Sequence, residues 1–246
     1  YHMRATTRWQ GSDERTEPEG TTVTPPLAVD IDGTLTGPSR AIDPRVMEVL
    51  QEWDDHVVVA TGKAFPYPVA LCEFLGIPIT VIAENGGVVA VAGEEIVFTG
   101  DPDSAWAVAE AYESAGFGLG WDEPDFVNRW RETEIAVALD QPLDPLERIA
   151  ADHGLEVVDT GFAYHVKTPD VDKGKGLAAV ADTLDRDPAE FVAVGDSEND
   201  VATFETAGRS FAVANADDSA LAAADEVTDA SYADGFLEAV DRIETE

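Results

Sequence analysis

Leu27-Ala28-Val29-Asp30-Ile31-Asp32-Gly33-Thr34 is the stretch on which the reading of the whole chain turns. Its first half is a short apolar run, the pattern of a buried strand, and its second half is polar and ends in glycine, the pattern of a turn. In open α/β sheets, ligands bind beyond the carboxyl ends of strands, and both carboxylates of this stretch fall there. Asp30 and Asp32 are two residues apart, and like charges that close are unfavourable without a cation. Mg²⁺ is the natural choice, because it prefers oxygen ligands and commonly binds one or two carboxylates together with substrate phosphate. Taken alone, the string also fits a calcium loop or a plain strand-end turn.

Working outward, the chain repeats the strand-then-polar pattern. Val57-Val58-Val59-Ala60 and Ile79-Thr80-Val81-Ile82 read as further strands, with a helix over 66–75 between them. Asp43-Pro44, Asp101-Pro102, Asp144-Pro145 and Asp187-Pro188 read as four helix starts, since Asp caps a helix well and Pro is tolerated at its first position. From Lys173 a helix, the strand Phe191-Val192-Ala193-Val194, another helix, a strand over 210–214 and closing helices continue the alternation. Strands alternating with helices imply right-handed βαβ units, so the fold class is α/β with a Rossmann-like parallel-sheet core.

Between these halves the pattern changes after Glu84-Asn85-Gly86-Gly87. Val88–Ala92 and Ile96–Phe98 read as a hairpin around Gly93-Glu94-Glu95, followed by helices over about 102–115 and 145–153 and strands over 134–139, 155–159 and 162–167. This is an inserted α+β cap. The expected division is a tail over 1–24, a core made of 25–86 and 168–246, and a cap over 87–167.

Two more strand ends carry chemistry. In Val59-Ala60-Thr61-Gly62-Lys63 the Thr61 hydroxyl can donate to a phosphate oxygen, while Gly62 lets backbone N–H groups approach it. In Gly195-Asp196-Ser197-Glu198-Asn199-Asp200, the acids Asp196 and Asp200 can reach the first pair across the sheet edge. Acids favoured by a helix dipole are the blander reading of that cluster. Lys173, before Gly174, can neutralise a phosphate and hold the Asp30 carboxylate.

Composition narrows the setting. Lys and Arg number 15 against 50 Asp and Glu, a formal charge of −35, which argues against nucleic acid and anionic membrane as partners. An apolar fraction of 44% is nonetheless that of a globular protein. There are four lysines, Lys63, Lys167, Lys173 and Lys175, all beside the motifs, and this acid-rich, lysine-poor balance resembles proteins of salt-in halophiles. The single cysteine, Cys72, lies in an apolar stretch, reads as a buried structural thiol and fits a reducing cytoplasm.

The four motifs in this order, with the insert between the second and third, resemble those of the haloacid dehalogenase-like phosphatases. Glu84-Asn85-Gly86-Gly87 before the insert and Lys173-Gly174 after it resemble the subgroup with a type-two α/β cap, and within it the archaeal phosphoglycolate phosphatases. The resemblance implies a Mg²⁺-dependent phosphomonoester hydrolase acting on a small phosphorylated metabolite, as a monomer or homodimer. It implies that Asp30 is the nucleophile, passing through an aspartyl-phosphate, and Asp32 the acid and base. Asp196 and Asp200 would hold the metal with the first pair, and Lys173, Thr61 and Gly62 would bind phosphate. Sugar-phosphate phosphatases and phosphomannomutase-type phosphotransferases share the pattern and are the alternatives. Lys63 stands where Arg is more usual, which leaves that position without a role. For a substrate carboxylate, Arg129, Arg131, His165 and Lys167 are the candidate donors. Trp106, Trp121, Phe126 and Trp130 are expected in the cap core or on its core-facing surface.

Overall fold

The structure is a computed structural model that describes residues 24–93 and 95–245. The tail expected over 1–24 lies, but for Thr24, outside the described residues. In chain order the first part runs β1 (Leu27–Asp30), α1 (Pro44–Glu52), β2 (Val57–Ala60), α2 (Pro66–Leu75), β3 (Val81–Ala83), β4 (Val88–Val91) and β5 (Glu95–Phe98). Then come α3 (Pro102–Ser114), β6 (Ile135–Val137), α4 (Leu143–Asp152), β7 (Glu156–Asp159) and β8 (Tyr164–Lys167). The last part holds α5 (Lys173–Thr183), β9 (Val192–Gly195), α6 (Val201–Thr206), β10 (Arg209–Ala212), α7 (Asp218–Ala223), β11 (Glu226–Val227) and α8 (Tyr232–Glu244).

Eight strands form one sheet in the order β11-β10-β9-β1-β2-β3-β4-β5. The strands from β11 to β3 pair in parallel, and β4 and β5 add an antiparallel edge. Side chains alternate across a strand, so each central strand serves two cores. Leu27, Val29, Val57 and Val59 pack with Val46, Leu50, Cys72, Leu75 and Phe236, whereas Ala28, Val58 and Ala60 meet Leu177, Val180 and Phe191 on the other face. Each fully buried valine among them contributes about 1.5–3 kcal/mol. This explains why β1 reads as an unbroken apolar run. Cys72 belongs to the first core, and burial pushes its thiol up to about 11.

The sheet redraws the cap. The hairpin β4–β5, expected within it, is hydrogen-bonded to β3 and extends the core sheet. The separate layer is the three-stranded sheet β6-β8-β7 with α3 and α4, so it begins near residue 102 rather than 87. The hairpin's apolar residues made it look like either layer; only hydrogen-bond pairing decides. Of the four Asp-Pro pairs, Asp43 and Asp101 cap helices, each accepting from the backbone two residues on. Asp187-Pro188 opens a single 3₁₀ turn, and α4 starts two residues before Pro145, with Pro142 at its cap position. Proline is tolerated throughout the first turn, so its presence locates a helix start only to within a few residues.

Candidate active site

The parallel register sets Val29 beside Val59 and Val194, so the carboxyl ends of β1, β2 and β9 come out level. Asp30, Thr61 and Asp196 therefore leave the sheet at one edge. Across from them the first residue of α5, Lys173, is fully buried, and its Nζ donates to Oδ1 of Asp30 and to Oδ1 of Asp200, each at 2.7 Å. Asp200 is fixed from the other side: its Oδ2 accepts from the backbone N–H groups of Asp196 and Ser197 at 3.0 and 3.1 Å. Gly33 closes the turn after β1 at φ +87°, and a Cβ there would lie 1.9 Å from Oδ2 of Asp196. Only glycine lets the first motif approach the fourth this closely.

Asp30, Asp196 and Asp200 offer carboxylate oxygens within 4.8 Å of one another. Oδ2 of Asp30 and Oδ1 of Asp196 are buried without a hydrogen-bond partner. Burial raises the pKa of Asp30 well above the usual carboxylate range, against the pull of Lys173. Burial and then Asp200 raise Asp196 to about 7. Burial would lower Lys173, but Asp200 and Asp30 outweigh it and hold the ammonium charged. Three carboxylates against one ammonium leave two negative charges when all are ionised. An all-oxygen set with that surplus and two orphaned oxygens fits a hard divalent cation such as Mg²⁺.

Asp32, expected among these ligands from the sequence, faces elsewhere. β1 ends at Asp30, so strand alternation does not carry on to Asp32, and its carboxylate meets Lys63 Nζ at 2.8 Å and Arg40 at 3.6 Å. Its side chain is outside the three-carboxylate group among the described residues, yet it lines the same cavity as Asp30. Position 63 thereby acquires a role the sequence did not suggest: Lys63 holds Asp32. Thr61 is buried at the cavity wall, and its Oγ1 accepts from the N–H of Lys63 at 3.2 Å, which leaves the hydroxyl proton free to donate.

The cavity, about 310 Å³, has Asp30, Asp32, Thr61 and Lys63 on its floor, with Lys173, Asp196 and Asp200 packed against Asp30, and Phe126, Val127, Arg131, Thr160, Phe162 and His165 come from the insert as its roof. Roof and floor are joined by a chain of polar contacts. Asn199 Nδ2 donates to Asn85 Oδ1 (3.1 Å), and Asn85 Nδ2 donates to Glu134 Oε2 (3.1 Å). Glu134 pairs with Arg131, which in turn donates to the carbonyl of Gly62 (3.2 Å). Glu84 makes a second tie, accepting from the N–H groups of Glu132 and Thr133. Of the four candidate donors for a substrate carboxylate, only Arg131 and His165 line the cavity; Arg129 is exposed beside Trp130, and Lys167 pairs with Glu156. The aromatic set is not core: Trp106, Phe126 and Trp130 are exposed, and Trp121 is half-buried, with Phe126 on the cavity wall. Asn85, Glu134 and Asn199 were missed as site residues, although Asn85 and Asn199 stand inside the quoted motifs.

Comparison with known proteins agrees with this geometry. Residues 27–107 and 147–240 match the model of the haloacid dehalogenase-like hydrolases. A phosphoglycolate phosphatase of Natronomonas pharaonis is 65% identical over 88% of this chain and 96% of its own length. One from Haloarcula marismortui is 64% identical over the same shares. Both organisms are halophilic archaea, in keeping with the acidic, lysine-poor composition. Among solved structures, a Thermoplasma acidophilum protein superposes with a TM-score of 0.77 at 26% identity, covering 91% of this chain and 100% of its own. A haloacid dehalogenase-like hydrolase from Bacteroides thetaiotaomicron gives 0.71 over 88% and 98% at 22% identity. With its motifs at the level ends of β1, β2 and β9, its inserted layer over them and these relatives along most of its length, the chain belongs to the haloacid dehalogenase-like hydrolases.

Proposed function

We propose that the protein hydrolyses 2-phosphoglycolate to glycolate and inorganic phosphate through an aspartyl-phosphate on Asp30. The observation that carries this is the floor of the cavity: Asp30 keeps one oxygen on Lys173 and the other buried and unpaired. The names of the relatives support the substrate. A carboxylate attacks phosphorus well once the repulsion of the dianion is removed. Lys173 lies within reach to supply part of that neutralisation, and Thr61 adds a hydroxyl donor. Mg²⁺ held by Asp30, Asp196 and Asp200 would supply the rest, balancing charge on the transferring phosphoryl group.

The alkoxide of glycolate is a poor leaving group and needs a proton. We assign that role to Asp32, and its pairing with Lys63 on the cavity wall that also holds Asp30 supports the assignment. The same carboxylate then takes a proton from the water that hydrolyses the aspartyl-phosphate. No helix among the described residues is long and apolar enough to cross a membrane. With one thiol and four lysines, we take the enzyme to work in the reducing, salt-rich cytoplasm, as a monomer or homodimer. Phosphate release measured over a panel of phosphoglycolate, hexose phosphates and p-nitrophenyl phosphate tests the reading. Phosphoglycolate should give the highest kcat/KM, and a hexose phosphate ahead of it would overturn the assignment.

A further inference from the structure

The roof of the cavity carries a charge arrangement that the phosphoryl chemistry does not use. Glu134, 1% exposed, accepts from His165 Nδ1 at 3.2 Å, from Asn85 Nδ2, and from Arg131. Burial alone would raise this carboxyl, but His165 and Arg131 outweigh it and hold it at about 2, so it is ionised. Arg131 has further partners, the carbonyls of Val127 and Gly62. His165 is 4% exposed and lines the cavity, and no described residue hydrogen-bonds its Nε2. The imidazole is thus held by one nitrogen and offers the other to the cavity. A second carboxylate arriving at Nε2 would set the ring between two anions, the arrangement in which both nitrogens donate. A buried ring nitrogen without a partner is stabilised by a ligand that arrives with a hydrogen bond.

We propose that His165 Nε2, backed by Glu134 and flanked by Arg131, binds the carboxylate of the substrate and sets specificity for phosphomonoesters with a second, acidic end. Floor and roof then divide the substrate: the floor takes a cation and the phosphate, the roof takes the carboxylate. The proposal rests on the phosphoglycolate reading and says which side chain makes that reading selective. Arg131 serves as a positioning residue, because each of its three nitrogens is already held, by Val127, Glu134 and Gly62.

The test uses the full chain with Mg²⁺ and compares phosphoglycolate with ethyl phosphate, which has a two-carbon leaving group and no carboxylate. His165→Ala should raise KM for phosphoglycolate by about 10- to 100-fold, the worth of one charge-assisted hydrogen bond. It should leave kcat/KM for ethyl phosphate within about twofold, which a general loss of fold would not do. His165→Gln, which keeps an N–H near the place of Nε2, should fall between the two on phosphoglycolate and match wild type on ethyl phosphate. If the alanine variant does not fold, the glutamine variant is sufficient to decide the role of His165. An unchanged KM for phosphoglycolate, or equal losses on both substrates, overturns the role of His165 while leaving the substrate intact. A wild-type enzyme with no preference for phosphoglycolate over ethyl phosphate overturns the substrate, and this proposal with it.

Discussion

The floor and the roof of the cavity are both buried polar clusters, yet they are built from different parts. On the floor one ammonium, Lys173, sits among Asp30, Asp200 and, nearby, Asp196, and the surplus is negative. On the roof one carboxylate, Glu134, sits between Arg131 and His165. On the floor, Asp30 and Asp196 stand at strand ends, where the sheet register places them, and Lys173 opens α5. The roof stands on the insert, reached through Asn85 and Glu84. On the functions proposed above, the difference separates chemistry from selection: the floor would act on any phosphomonoester, and the roof would choose among them.

Replacing the nucleophile should give the largest effect. Asp30→Asn cannot attack phosphorus, and we expect kcat to fall at least about 10³-fold on phosphoglycolate and ethyl phosphate alike, with the melting temperature kept. Steady-state rates and a melt on the same sample decide it; turnover near wild type would break the assignment of the floor.

Removing the metal comes next. EDTA should abolish activity and Mg²⁺ restore it, whereas Ca²⁺, with its looser and larger coordination, should not. Full activity in chelator would mean that Asp196 and Asp200 are not ligands.

Asp32→Asn should lower kcat by about 10²- to 10⁴-fold on alkyl phosphates. On p-nitrophenyl phosphate, whose leaving group needs little proton donation, the loss should be at least about tenfold smaller. A Lys63→Met variant should show the same bias in weaker form, because Lys63 touches the reaction only through Asp32. Equal losses on both substrate classes would deny Asp32 the acid role.

Glu134→Gln sharpens the comparison on the stability side. It leaves Arg131 and His165 buried without their anion, a change that typically costs about 3–5 kcal/mol. The folded-state pKa of Glu134, about 2, lies below the ordinary 4.5. Its stabilisation is therefore complete above the ordinary value and is lost as pH falls through the folded one. The melting-temperature gap between wild type and variant should be flat above about pH 5 and narrow on acidification from there. A gap that widens in acid would place the charge elsewhere.

Salt should have the gentlest effect on the site and act on the whole surface. With a formal charge of −35, raising KCl from about 0.1 to 3 M shortens the Debye length from about 10 Å to under about 3 Å and should raise the melting temperature. A melting temperature indifferent to salt would remove self-repulsion as a force acting on this fold.

Much of the floor was legible because strand ends announce themselves. An apolar run followed by Asp-x-Asp-Gly, by Thr-Gly or by Gly-Asp locates a side chain at the mouth of a parallel sheet, since burial on both faces forces the run and the exit forces the turn. Asp30, Thr61 and Asp196 could be read this way, Asp200 within the motif that follows Gly195, and Lys173 by its place before Gly174. Asp32 could not, because the direction of a residue past the end of a strand depends on the turn, and here the turn carries it to Lys63. The roof was largely illegible. Glu134 lies in Arg131-Glu132-Thr133-Glu134, where nothing distinguishes it from the other 49 acids, and its partners are 3, 31 and 49 residues away in sequence.

The sequence alone therefore determined the α/β alternation, the strand ends, the acid-rich surface and the identity of the groups on the floor, because each follows from local pattern and elementary chemistry. Only the tertiary structure decided that β4 and β5 belong to the core sheet, that Asp32 leaves the carboxylate group for Lys63, and that Arg131, Glu134 and His165 meet over the cavity. Those outcomes rest on backbone pairing and on charges brought together from distant stretches, and their energies exist only once the chain has closed around them.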